Sequence, residues 1–260
     1  MSEGKKNSSK NRRFRICVFV FLSLSIPLLL YFLTAPDLSR LRKENPRKTA
    51  YMKYREMEWK EKGRKLRIIH QNWIPLSSVS PYLIKAVLIA EDDKFWTHEG
   101  FDYEAIEKAV KRDLKAGRFR SGGSTLSQQL ARNLYLSPGK SLSRKAREAI
   151  ITWKMERTLS KKRILELYLN VVEWGDGIFG AEAASRYYYG KSASELMPEE
   201  AARLASVLPN PRRYNPAGNQ SYVLVRSNLI YQTMIRRGIV NPEYREIVEE
   251  LPLTSPPGGQ

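Results

Sequence analysis

Between residues 66 and 251 the apolar positions return mostly at three- and four-residue intervals, the spacing of one face of an α-helix. Such runs cover residues 81–90, 125–136, 142–159, 160–171, 180–189, 198–208 and 222–237. Strict alternation of polar and apolar residues, the mark of a half-buried strand, is scarce. Gly122-Gly123, Ser137-Pro138-Gly139, Gly175-Asp176-Gly177 and Pro209-Asn210-Pro211 separate the helical runs with residues that favour turns. The pattern predicts a mainly α domain without internal repeats.

The flanks follow other rules. Residues 16–33 are apolar and uncharged over about the 18 positions that a membrane-crossing helix needs. A cleaved signal peptide is the competing reading. It fits less well, because the run exceeds a usual signal core and the nearby small residue, Ala35, precedes Pro36. The expected organisation is a basic cytoplasmic tail at 1–15, a membrane anchor at 16–34, a charged juxtamembrane connector at 35–65, the folded domain at 66–251 and a frayed tail at 252–260. Basic residues lie on both sides of the span, so the charge bias sets orientation only weakly. A short basic tail before a long domain favours the tail inside and the domain outside.

Composition narrows the chemistry. Lysine and arginine total 45 against 27 acids, a net charge of +18, which favours partners bearing phosphate or anionic lipid headgroups. One cysteine and two histidines cannot build a disulfide framework or a Cys/His zinc site. No cofactor is evident, and a divalent cation would have to use carboxylates.

Three blocks carry candidate chemistry. In the first, Glu91, Asp92 and Asp93 follow an apolar helix directly, where burial could raise one carboxyl toward the range of a general base. A solvated helix end is the bland alternative. In the second, Gly122-Gly123 leads through Ser124 and Thr125 into a helix bearing Gln128, Gln129 and Arg132, whose first free N–H groups could hold an oxyanion. Thr125 and Gln128 also have the spacing of a capping box. In the third, Lys140, Arg144 and Lys145 cluster near Glu148. Basic residues N-terminal to the acid are the less favourable order for helix stabilisation, and such a group suits a diphosphate.

Together and in this order the blocks resemble the peptidoglycan glycosyltransferases, family 51 of the glycosyltransferases. The resemblance spans residues 66–216 and continues through Lys161-Lys162-Arg163-Ile164-Leu165-Glu166-Leu167-Tyr168-Leu169-Asn170, Gly180-Ala181-Glu182-Ala183-Ala184 and Leu208-Pro209-Asn210-Pro211. Residues 171–180 are similar to the monofunctional branch of Gram-negative bacteria. Met197 departs from the family, which places a capping Ser or Thr there. Ser137-Pro138-Gly139-Lys140 matches Ser-x-x-Lys but stands without a Lys-Thr-Gly motif, so no transpeptidase half is expected.

The resemblance implies a lysozyme-like fold with a small membrane-facing jaw, which falls on the helix carrying Tyr103, Ile106, Val110 and Leu114. It implies lipid II and the growing glycan chain as substrates at the outer face of the inner membrane, with membrane lipids and division or elongation proteins as further partners. Glu91 matches the family's base. Arg132, Lys140, Arg144 and Lys145 match residues that hold phosphates, and Glu148 one that orients them or helps ligate a divalent ion. Ser124, Thr125, Gln128 and Gln129 would line the sugar site, with Asp92 and His98 as local supports. A lysozyme-type hydrolase is the first rival, and the cationic cluster argues against it, because a sugar leaving group needs an acid instead. A basic membrane-tethered scaffold that binds nucleic acid is the second, and it leaves the blocks unexplained. No nucleic acid is expected as a partner.

Overall fold

The helix starts explain much of the fold. The computed structural model describes residues 14–16, 18–23, 25–26, 36–64, 67–116, 123–139 and 141–241. In α1 (Ala50–Glu61) the Thr49 hydroxyl accepts the Met52 N–H at 3.1 Å. Pro81 opens α2 (Pro81–Glu91), where its missing N–H costs nothing. After α3 (Tyr103–Ala116), Thr125 and Gln128 cap α4 (Leu126–Tyr135) reciprocally, with Thr125 N–H donating to the Gln128 side chain at 3.0 Å. Ser141 caps α5 (Leu142–Thr158), and Ser160 caps α6 (Lys161–Val171). Then come α7 (Ala181–Tyr189), α8 (Pro198–Val207) and α9 (Ser221–Arg236). At Met197 the side chain cannot cap as serine would. Glu200 compensates by accepting the Met197 N–H at 2.8 Å.

A three-stranded sheet of very short strands accompanies the helices. β1 (His70–Gln71) pairs in parallel with β3 (Ile178–Phe179), which pairs antiparallel with β2 (Glu173–Gly175). Asn170, at the end of α6, exchanges hydrogen bonds of 2.9 Å with both backbone groups of Ile74 and so fastens the chain after β1 to that helix. Gly180 follows β3 at φ +84°, and a Cβ there would lie 2.7 Å from the Asn170 carbonyl oxygen. Only glycine fits.

The mainly α expectation holds. Helices α2, α8 and α9 pack together, and α4 packs on α1, α5 and α6. Leu83, Val87, Leu126, Leu130, Ile151, Met155, Leu165 and Tyr168 are fully buried between them, each apolar side chain contributing roughly 1.5–3 kcal/mol. The segment that reads in sequence as a connector is in fact packed. Leu38, Met52 and Trp59 are each only 1% exposed. Arg55 of α1 donates to Glu173 through Nε at 3.0 Å and Nη2 at 2.8 Å, and Trp59 Nε1 donates to Asp176 at 3.1 Å. Charges that suggest solvent are satisfied against acids far along the chain.

Helix α3 behaves differently. Tyr103, Val110 and Leu114 are exposed, at 77%, 48% and 70%, so most of its apolar stripe stays outside the core. Gly123 lets the chain return close by: its φ is +85°, and a Cβ would meet the Ala105 carbonyl oxygen at 3.1 Å. About half of the expected anchor, and all of the tail 252–260, lie outside the described residues. Pieces at 14–16, 18–23 and 25–26 are helical. No helix among the described residues is long and apolar enough to cross a membrane.

Candidate active site

Glu91 is the last residue of α2, and its side chain is only 12% exposed. One carboxylate oxygen accepts the Gln129 amide N–H at 2.9 Å. The Tyr168 hydroxyl, buried on α6, donates to the Gln129 oxygen at 3.1 Å and thereby sets which end of that amide faces Glu91. Burial pushes the Glu91 carboxyl above its ordinary value, against the opposing pull of the Gln129 hydrogen bond and of Arg226 and Arg132. A carboxylate held thus is a stronger base than an exposed one.

The frame around Glu91 comes from the next residue. Asp92 is 7% exposed and accepts the Leu126 N–H at 2.8 Å, tying the end of α2 to the start of α4. That end of α4 carries the positive pole of the helix dipole. Gly100 N–H donates to His98 Nδ1 at 3.0 Å, which leaves Nε2 to carry the proton toward Asp92, also at 3.0 Å. Thr125 donates its hydroxyl to the Gly100 carbonyl at 2.7 Å. Gln129 lies one turn into α4 and so meets Glu91. Thr125 and Gln128 are nearly buried, at 2% and 4%, and spend their polar groups on the cap and this frame.

Glu148, on α5, is 0% exposed and surrounded by cations. Arg144 Nη1 donates to one oxygen at 2.8 Å, and Arg132 Nη1 lies 3.8 Å from the same oxygen. Lys145 donates to the other oxygen and also to Ser124 Oγ, at 3.3 Å. Arg132 therefore belongs to both centres: it neighbours Glu148 and its charge is felt at Glu91. The arrangement is a base beside three partly exposed cations, at 31%, 18% and 45% for Arg132, Arg144 and Lys145, fixed from behind by a buried anion. A divalent ion does not fit Glu148 in this arrangement. Both its oxygens already serve cations, and no group of three His, Cys, Asp or Glu side chains that could hold a metal occurs among the described residues.

The geometry has a counterpart in sequence comparison. Residues 61–235 match the family model described as Transglycosylase. The chain belongs to this transglycosylase family. Among similar proteins are the biosynthetic peptidoglycan transglycosylases of Azoarcus sp. (strain BH72), 56% identical over 173 residues that cover 66% of this chain and 74% of the relative, and of Dechloromonas aromatica (strain RCB), 54% identical over 171 residues with the same coverages. The protein of that name from Alcanivorax borkumensis is 41% identical over 247 residues, covering 95% of this chain and 98% of its own length.

The family match covers every candidate site residue read from the sequence. The structure brings Glu91, Gln129 and Arg132 to one place, and Ser124, Arg132, Arg144, Lys145 and Glu148 to the adjoining one. Lys140 lies outside the described residues. Arg226 is the residue that sequence reading of the transglycosylase misses. It stands on α9 with Nη2 3.4 Å from a Glu91 oxygen and 3.1 Å from the Ala90 carbonyl. Its local sequence is an ordinary amphipathic helix, and only the packing of α9 on α2 reveals the contact.

Proposed function

We propose that this chain polymerises lipid II into linear glycan strands, with the growing chain as donor and undecaprenyl pyrophosphate released. Membership in the transglycosylase family and its relatives' names support peptidoglycan synthesis as the process. The observation that carries the mechanism is a buried, proton-seeking Glu91 beside cations anchored on Glu148. Glu91 takes the proton of the acceptor 4-hydroxyl as that oxygen attacks C1 of the donor, on the face opposite the pyrophosphate, so the anomeric centre inverts. The C1–oxygen bond breaks and the electron pair leaves on the pyrophosphate. Arg132, Arg144 and Lys145 stabilise that charge, and being held on Glu148 in advance they do so without reorganising, while Lys140 is assigned to the same task from its sequence match alone. A hydrolase would instead need an acid on the leaving sugar, and these cations would serve no purpose there.

The same proposal places the domain outside the cytoplasmic membrane on an uncleaved anchor at 16–34. It rests on the apolar run in the sequence and on the outward-facing Phe19 and Phe21, 74% and 70% exposed in the helical pieces. The exposed stripe of α3, with its basic flanks, suits the membrane interface. Incubating the purified protein with lipid II and separating polymer from monomer tests the activity. Polymer is expected, and its absence, or cleavage of finished glycan instead, overturns the reading. Protease added to spheroplasts should digest the domain, and protection would overturn the topology.

A further inference from the structure

Glu91 sits where four helices meet, and the groups facing it can be named element by element. From α4 come the Gln129 amide and the Arg132 charge, from α6 the Tyr168 hydroxyl acting through Gln129, from α2 the neighbouring Asp92, and from α9 Arg226. Gln129 is neutral, and Arg132 already lies 3.8 Å from Glu148. Arg226 is the cation within 4 Å of Glu91 among the described residues. At 3.4 Å its approach to the carboxylate is long for a hydrogen bond, so the interaction is chiefly one of charge. The 3.1 Å bond to Ala90 holds the guanidinium against the last turn of α2, where unpaired carbonyls and the negative helix pole attract a cation. Arg226 Nε is buried with no hydrogen-bond partner among the described residues. A guanidinium kept with a buried donor unmatched is poorly explained by stability alone.

We propose that Arg226 is a positioning residue for Glu91, its guanidinium clamping the end of α2 and supplying the opposite charge that favours the ionised carboxylate the reaction requires. The proposal rests on the reading of Glu91 as base, yet it concerns a physical coupling that exists without substrate. The burial of Glu91 and the charge of Arg226 act in opposite directions on the carboxyl. One raises its proton affinity enough to make it a base, and the other keeps it from resting protonated at neutral pH.

The test is a carboxyl carbon NMR titration of the full chain with labelled glutamate, the Glu91 signal being assigned by its loss in Glu91→Gln. In Arg226→Gln the midpoint of that signal should move up by about one pH unit, the low end of what an opposite charge at this range does. Arg226→Lys should recover part of the shift. Arg237→Gln, which removes the cation just past the end of α9 that is paired with Asp93 instead, should leave the midpoint in place. In lipid II turnover the acidic limb of kcat/KM should move up with the NMR midpoint, while KM at high pH stays within about twofold. An unmoved midpoint in folded Arg226→Gln overturns the proposal, as does a loss of turnover equal at every pH. A shifted midpoint in a protein that makes no polymer overturns the proposed function and leaves the coupling standing.

Discussion

Glu91 and Glu148 are the same side chain, both largely withdrawn from water, and the fold treats them in opposite ways. Glu148 is wholly buried with two cations bonded to its oxygens and a third nearby. Glu91 receives one neutral amide and one guanidinium, the latter at 3.4 Å. Where the charge is matched, a carboxylate becomes an anchor that aims its partners. Where it is left undermatched, burial makes it a base. Under the proposed function, one residue type takes two roles at adjoining positions without any difference in its own chemistry.

The most severe way to break the comparison is Glu91→Gln, which keeps size and hydrogen bonding but cannot take a proton. Polymerisation should fall by about 10²- to 10⁴-fold. Stability should respond in the other direction. A carboxyl whose folded value is raised binds protons better in the folded state, so Glu91 lowers stability as pH rises from the ordinary 4.5 through its folded value, and the deficit persists above it. The variant's Tm should therefore equal or exceed the parent's at neutral pH, and any gap should close as pH falls below 4.5. A clear loss of Tm at neutral pH would contradict the undermatched reading.

Glu148→Gln should do the reverse to stability. Removing the anion strands the cations gathered on it, and breaking a buried pair costs about 3 kcal/mol, less here because Arg132, Arg144 and Lys145 are partly solvated. Chemical denaturation measures this. A variant as stable as the parent would remove the distinction between anchor and base.

Neutralising Lys140 and Arg144 together leaves both glutamates in place and tests only the cations. Charge-assisted hydrogen bonds contribute about 1.5–3 kcal/mol each, so kcat/KM for lipid II should drop by at least about tenfold, and because Arg144 is bonded to the buried Glu148, turnover is compared at a temperature where the variant is still folded. Unchanged turnover would make these residues a solvated face. The mildest comparison is Asp93→Asn. Asp93 is half exposed, and Arg237, which donates to its two oxygens at 2.5 and 2.9 Å, holds its carboxyl below the ordinary value. An exposed pair contributes about 0.5 kcal/mol or less, so activity should persist. A collapse of activity would give Asp93 a part in the site.

How much could be read in advance depended on distance along the chain. Glu91, Gln129 and Glu148 stand in short blocks whose turns and charges announce themselves, and the cap at Thr125 follows from local spacing. Arg226 and Glu91 are 135 positions apart, and nothing in either neighbourhood points to the other. The burial of α1 was hidden for a related reason. Arg55 looks like a solvent residue until Glu173, 118 positions later, is brought against it. Local patterns specify elements, and charge compensation between distant elements becomes visible only once they are packed.

The packing of Leu38 and α1 against the domain would have a mechanical consequence on the proposed topology. Under the proposed topology the anchor ends near residue 34, and Leu38 is already buried in the domain. The few residues between can extend only about 3.5 Å each, so on that topology the catalytic body would be held close to the membrane by a short tether. Arg55, Trp59 and their acidic partners are the bolts at its top. Such a mount would limit how far Glu91 and its neighbouring cations can stand from the lipid surface.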